Sequence, residues 1–279
     1  MTALTESPVA AGVTSPVLAV RDVRIRGLGD EIVHGVSFEL TPGKVVGIVG
    51  ESGSGKTLTC RAILGILPPQ LEVSAGAVHI GGRDVSALSP AEWTALRGST
   101  ISAVFQDPAS YLNPSIPVGA QIAEVVRVKK GVRRRAARHR ALELLAAVRL
   151  REPELVYGQY AHELSGGMLQ RVLIATAMAA DPRVLVADEA TTALDVTVQA
   201  EILDLLADLR ASTGLAMVLV SHDLAVVARL CDEVLVMRDG EIVEQGPTDR
   251  VLYEPEHSYT RLLISEHEQY GLEKFLEDS

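Results

Sequence analysis

The run Gly50-Glu51-Ser52-Gly53-Ser54-Gly55-Lys56-Thr57 fits the spacing G-x-x-x-x-G-K-[ST] of a phosphate-binding loop. Its three glycines let the backbone close around an anion, so that amide N–H groups point inward. Lys56 adds a cation for the β/γ oxygens of a nucleotide, and the Thr57 hydroxyl suits magnesium. A glycine-rich turn can match this spacing by accident, but the strand-loop-helix setting found here is the one a phosphate loop needs. A second chemical pair, Asp188 and Glu189, follows Val184-Leu185-Val186-Ala187. Two carboxylates at the end of a buried strand are as often a cap or a solvated turn as a catalytic element. Beside a phosphate loop, Asp188 is suited to magnesium and Glu189 to orienting or deprotonating the water that attacks a γ-phosphate. A third group, Ser165-Gly166-Gly167, precedes an apolar helical run and offers a hydroxyl and two amides as a second anion-binding end. Taken alone it reads as an ordinary helix cap.

The elements that must position these groups follow from hydrophobic period. Residues 45–49 are nearly all apolar and β-branched, as in a parallel strand covered on both faces. Runs at 101–105, 184–187 and 217–220 have the same character, and 198–209 between the last two repeats at three and four residues. The core therefore reads as α/β. Short runs at 17–23 and 36–40, with Pro42-Gly43 after them, predict antiparallel strands, and Asp239-Gly240 predicts a tight hairpin turn. Residues 118–180 are rich in Ala, Leu, Arg and Glu without a strand pattern, which predicts an inserted helical lobe. Residues 1–15, rich in Thr, Ser, Ala and Pro, read as a flexible leader, and the acidic tail carries no readable function.

Composition excludes several classes. At 279 residues and 47% hydrophobic the chain can bury a full core, and no stretch nears the roughly 20 apolar residues of a membrane-spanning helix. A formal charge of -10 argues against a nucleic-acid binder. The basic run from Arg133 to Arg140 reads as a solvated helix face. Cys60 and Cys231 stand far apart in apolar surroundings and read as buried thiols.

The string His162-Glu163-Leu164-Ser165-Gly166-Gly167-Met168-Leu169-Gln170-Arg171 resembles the signature of the ABC-family ATP-binding subunits. Gln106 resembles the Q-loop glutamine, Asp195 the D-loop aspartate and His222 the switch histidine, so the resemblance runs from 17 to about 247. It implies a P-loop NTPase core, the ABC nucleotide-binding domain, over residues 16–250. That domain has an antiparallel β subdomain and a helical subdomain inserted at about 107–180, with a C-terminal tail at 251–279. It implies ATP and Mg2+, with the metal at Thr57, Gln106 and Asp188, and catalysis by Glu189, His222 and Gln106. ATP would lie between the phosphate loop of one cassette and Ser165, Gly166 and Gly167 of a second, with Asp195 communicating across the dimer.

Within that family, Gln106-Asp107-Pro108, Leu112-Asn113-Pro114 and the strings from Tyr253 to Arg261 resemble the oligopeptide, dipeptide and nickel importers. The implied partners are a second, different ABC ATPase subunit, two transmembrane permease subunits and an extracytoplasmic solute-binding protein, with no nucleic acid. The implied place is the cytoplasmic face of the cell membrane, as a peripheral subunit. A soluble ABC ATPase that remodels a macromolecular complex, or an exporter cassette, would share the same catalytic residues.

Three departures from the family pattern stand out. No aromatic residue precedes Phe38, leaving Arg24, Arg26 or His34 to meet the base, and Ala190 stands where the family has proline. Residues 232–279 hold no cysteine, so no iron-sulfur cluster is expected.

Overall fold

The computed structural model describes residues 15–27, 29–190 and 195–268. Most of the expected leader and the end of the acidic tail lie outside these residues. The chain opens with long strands β1 (Leu18–Gly27) and β2 (Asp30–Leu40), then β3 (Val45–Val49), the phosphate loop and α1 (Lys56–Leu64). Next come β4 (Leu71–Ile80), the short β5 (Arg83–Asp84), α2 (Pro90–Leu96) and β6 (Ile101–Phe105). A 3-10 turn at Pro108–Tyr111 leads into the helices α3 (Val118–Lys130), α4 (Arg134–Ala147), α5 (Pro153–Gly158) and α6 (Gly166–Ala177). The chain then alternates β7 (Val184–Asp188), α7 (Val196–Thr213), β8 (Ala216–Val220) and α8 (Leu224–Leu230). It finishes with β9 (Glu233–Arg238), β10 (Glu241–Pro247), α9 (Thr248–Tyr253) and α10 (Ser258–Glu268).

Two sheets result. The larger has the order β10-β9-β3-β8-β7-β6, parallel throughout except for the β9–β10 hairpin, and the smaller is antiparallel in the order β2-β1-β4-β5. The period of two along each central strand divides the interior into two cores. On β7, Val184 and Val186 join α1 and the antiparallel sheet, whereas Leu185 and Ala187 face the helical side. On β8, Val218 and Val220 take the first side, Met217 and Leu219 the second. Both faces are buried, which is why these strands read as unbroken apolar runs.

Sequence patterning gave no sign of β4, since its first residues are mostly exposed and Gly76 interrupts it. Pairing with β1 makes it a strand, and that pairing is a tertiary event. The helix expected over 198–209 runs from Val196 to Thr213, because the Asp195 carboxylate caps its first turn and Gly214 ends it in the left-handed region. The turn Asp239-Gly240 has φ of 49° and 83°, as the hairpin reading requires. Arg133, which precedes α4, and Arg134, Arg135 and Arg138 on it are exposed, and both cysteines are buried thiols whose pKa burial pushes up. Among the described residues no helix is long and apolar enough to cross a membrane.

Asp232 ties three elements together below the site. Its carboxylate accepts from Arg210 Nη2 at 2.7 Å, from Lys44 Nζ at 2.9 Å and from the Val45 amide at 2.8 Å. Burial pushes its pKa up, but Lys44, the Val45 amide and Arg210 outweigh burial and hold it below the usual range. A depressed folded-state pKa means stabilisation that is complete above the unfolded value and is lost as pH falls through the folded one. Asp232→Asn should lower stability at pH 7 by about 1–2 kcal/mol, a fall in Tm of roughly 2–8 °C. The deficit should shrink from about pH 5 downward. Thermal melts of both proteins across that range check this, and a deficit independent of pH would contradict it.

Candidate active site

The phosphate loop leaves the C-terminal end of β3, where open parallel sheets place their ligands. Gly50 sits at φ 146°, and a Cβ there would lie 2.1 Å from the Met237 carbonyl oxygen, so the loop's first residue must be glycine. Gly55, at φ 103°, caps α1 in the left-handed region and turns the chain so that the helix begins at Lys56. Across the loop, Gly240 N–H donates to the Ser54 carbonyl at 3.1 Å, so the β9–β10 turn braces it from behind.

Lys56 is 5% exposed, and its ammonium has three neutral partners: Gly50 O at 2.7 Å, Glu51 O at 2.6 Å and Ser54 Oγ at 3.3 Å. Burial pushes its pKa below the ordinary lysine value, against the pull of Glu189 and Asp188. A buried cation whose hydrogen-bond partners are all neutral suits an incoming anion. Asp188 is the last residue of β7 and equally buried, and it accepts from Thr57 Oγ1 at 3.2 Å. Burial raises its pKa, the Thr57 hydrogen bond opposes this, and the Glu189 charge adds to it. Thr57, Asp188, Glu189, Gln106 and Arg61 line one cleft of about 410 Å³. Its hard oxygen donors beside the lysine fit a magnesium-bound phosphate chain.

Glu189 has φ 51°, an uncommon conformation for a side-chain-bearing residue. Its amide donates to Val220 O at 3.0 Å, and its carboxylate lies 3.9 Å from His222 Nδ1. The structure thus brings Lys56, Thr57, Gln106, Asp188, Glu189 and His222 to one end of the parallel sheet. Ser165, Gly166 and Gly167 do not line this cleft: Ser165 is exposed and caps α6, accepting from the Met168 amide at 3.4 Å. Asp195 likewise caps α7, accepting from the Val198 amide at 3.0 Å. Of the candidates to meet the base, Arg24 pairs with Asp22 and Glu31, His34 pairs with Glu31, and Arg26 is exposed. None of the three lines the cleft. Ala190 is buried.

Sequence reading missed Arg61 and Tyr111, both of which line the cleft. Arg61 had a signal, because it lies one helical turn beyond Thr57 on α1. Tyr111 had none, since its place comes from stacking on Phe105 with ring centroids 4.9 Å apart.

A strand, a glycine loop with a buried lysine, a helix and a carboxylate pair at the end of β7, one strand removed from β3 in the same parallel sheet, define a phosphate-loop ATPase. The ABC transporter family model matches residues 33–192, and the chain belongs to that family. The oligopeptide transport ATP-binding protein of Bacillus subtilis is 45% identical over 254 residues, 89% of this chain and 71% of that protein. The dipeptide transport ATP-binding protein of the same organism is 43% identical over 235 residues, 84% of this chain and 70% of that one. The peptidoglycan transport ATP-binding protein of Agrobacterium fabrum is 45% identical over 257 residues, 90% of this chain, which spans only 47% of that longer protein. Among solved structures, a dimeric ATP-binding cassette in a post-hydrolysis state with ADP and Pi superposes with TM-score 0.73 at 28% identity, covering 83% of this chain and 98% of that one. The cassette cbiO1 of Clostridium perfringens, part of the cbiONQ transporter complex, gives 0.75 at 29% identity, over 86% of this chain and 92% of that one. The chain is an ATP-binding, ATP-hydrolysing cassette.

Proposed function

We propose that this cassette energises a membrane importer of peptides, or of nickel- or metal-chelate-type solutes, as a peripheral subunit on the cytoplasmic side. The observation that carries the reading is the separation of two anion-binding ends. Ser52 and Thr57 of the phosphate loop line one cleft, with Lys56 buried next to Thr57, while the exposed α6 N-terminus at Ser165 lies outside it. Each chain holds half of two sites, so a second cassette supplies the other half, and closing the pair is the motion passed to the permease. The transport names of those relatives support a transporter subunit rather than a soluble remodelling role, and a Brucella abortus relative, 43% identical over 256 residues, carries a peptide-import name, which supports import.

In this mechanism the loop amides and Lys56 bind the phosphates, and water is excluded when Ser165, Gly166 and Gly167 of the second cassette cover them. Thr57, Asp188 and Gln106 would hold a magnesium ion, which would supply positive charge to offset the negative charge of the phosphates. Glu189 orients the attacking water and accepts its proton, while His222 beside it positions the γ-phosphate. Asp195, capping α7 behind the site, reports the state of one half to the other. The partners are a second ABC ATPase subunit, two permease subunits and an external solute-binding protein.

Purifying the tagged chain from membranes tests this. Permease subunits should copurify, and ATP turnover of the reconstituted complex should rise on adding solute-binding protein loaded with peptide. Recovery with ribosomes instead of permeases would favour a remodelling ATPase, and outward movement of solute in vesicles would favour an exporter.

A further inference from the structure

The phosphate loop has a contact that the mechanism above does not use. Tyr259, near the start of α10, lies 208 residues from Glu51, yet the Glu51 amide donates to its phenolic oxygen at 3.0 Å. The carbonyl of the same peptide unit, Gly50 O, accepts from Lys56 Nζ at 2.7 Å. In a trans peptide the C=O and the following N–H point in opposite directions, so one group holding the N–H decides where the carbonyl faces. Tyr259 holds it from one side and Lys56 meets the carbonyl on the other.

The phenol is itself firmly placed. Tyr259 is 2% exposed, and the Arg238 guanidinium lies 4.8 Å from its ring centroid. The turn before α10 is pinned by Glu244 on β10, whose carboxylate accepts from the Glu256 amide at 2.8 Å and the His257 amide at 3.0 Å. His257 Nδ1 in turn accepts from the Tyr259 amide at 3.2 Å. Burial, with the nearby Glu51 carboxylate, pushes the phenol's pKa up, so it remains protonated at neutral pH. An interior tyrosine whose hydroxyl accepts from the Glu51 amide and also bonds the Glu51 side chain presents more than packing, which a phenylalanine would supply equally well.

We propose that Tyr259 is a positioning residue of the phosphate loop: by fixing the Gly50–Glu51 peptide it keeps the Gly50 carbonyl on Lys56 and the loop ready for nucleotide. The proposal rests on the reading of this loop as the ATP site and adds to it a dependence on the C-terminal helix. Through this bond the docking of α10 sets how well the loop is preorganised.

The test uses the full chain and Tyr259→Phe, which keeps the ring and its contact with Arg238. Binding of a non-hydrolysable ATP analogue with magnesium should weaken roughly two- to tenfold, the range of one hydrogen bond. Amide hydrogen exchange in peptides covering the loop should quicken, while exchange in peptides from α10 stays as in wild type and the melting temperature without nucleotide falls by no more than about 2–6 °C, the loss of one hydrogen bond. Equal binding by the two proteins overturns the proposal, and parallel loss of protection in α10 does so too, since the phenol would then act only by packing. A wild-type chain that bound no nucleotide would overturn the ATP-site reading itself, an outcome distinct from a wild type that binds and a variant that matches it.

Discussion

Replacing Lys56 by alanine is expected to lower nucleotide affinity by about 3 kcal/mol, roughly a hundredfold, with the fold intact. Its ammonium is a buried cation within the phosphate loop, and the groups it touches are two carbonyls and a hydroxyl that cannot stand in for it toward a phosphate. Burial already disfavours its charge, so an anion entering the site gains a strong, poorly screened partner. Removing the side chain also removes that desolvation cost, which offsets the lost bonds to the Gly50 and Glu51 carbonyls. Stability without nucleotide should therefore change little. Calorimetric titration with the magnesium complex of a non-hydrolysable ATP analogue decides it. Affinity within threefold of wild type would show that Lys56 is not the phosphate cation.

Glu189→Gln should separate binding from turnover. The substitution keeps shape and hydrogen bonding but removes the base, so turnover should fall about 10²- to 10⁴-fold while nucleotide binding stays close to wild type. The backbone favours the assignment: Glu189 is held at φ 51° by its amide on Val220 O, which places its carboxylate just beyond the strand end and near His222. Asp188, one residue earlier, is buried and bonded to Thr57, which leaves Glu189 the more accessible of the two to a water molecule. Single-turnover hydrolysis by the assembled complex, with binding measured in parallel, checks this. Undiminished turnover would sink the base assignment, and equal loss of binding and turnover would make Glu189 a ligand-holding group instead.

Much of the site was legible before any fold was known, because its parts are local. The phosphate loop is eight consecutive residues between a strand and a helix, and Asp188 and Glu189 close an apolar run. Ser165 and Asp195 announce helix starts by residue type, and both accept backbone bonds there. The central strands were legible because a strand buried on both faces must be apolar throughout. By contrast β4 is half exposed and owes its form to β1, and Tyr111 owes its place to stacking on Phe105.

The sequence by itself thus determined the chemistry available, an anion loop with its lysine and a carboxylate pair, and the α/β order that carries them. Only the tertiary structure decided which groups share a cleft: that Gln106 lines it with Thr57 and Asp188, that Ser165 lies outside it, and that Tyr259 reaches Glu51 across 208 residues. Local spacing fixes hydrogen bonds within a turn or a helix. Which distant backbone group a buried phenol finds depends on how the two cores pack, and no pattern along the chain encodes that distance.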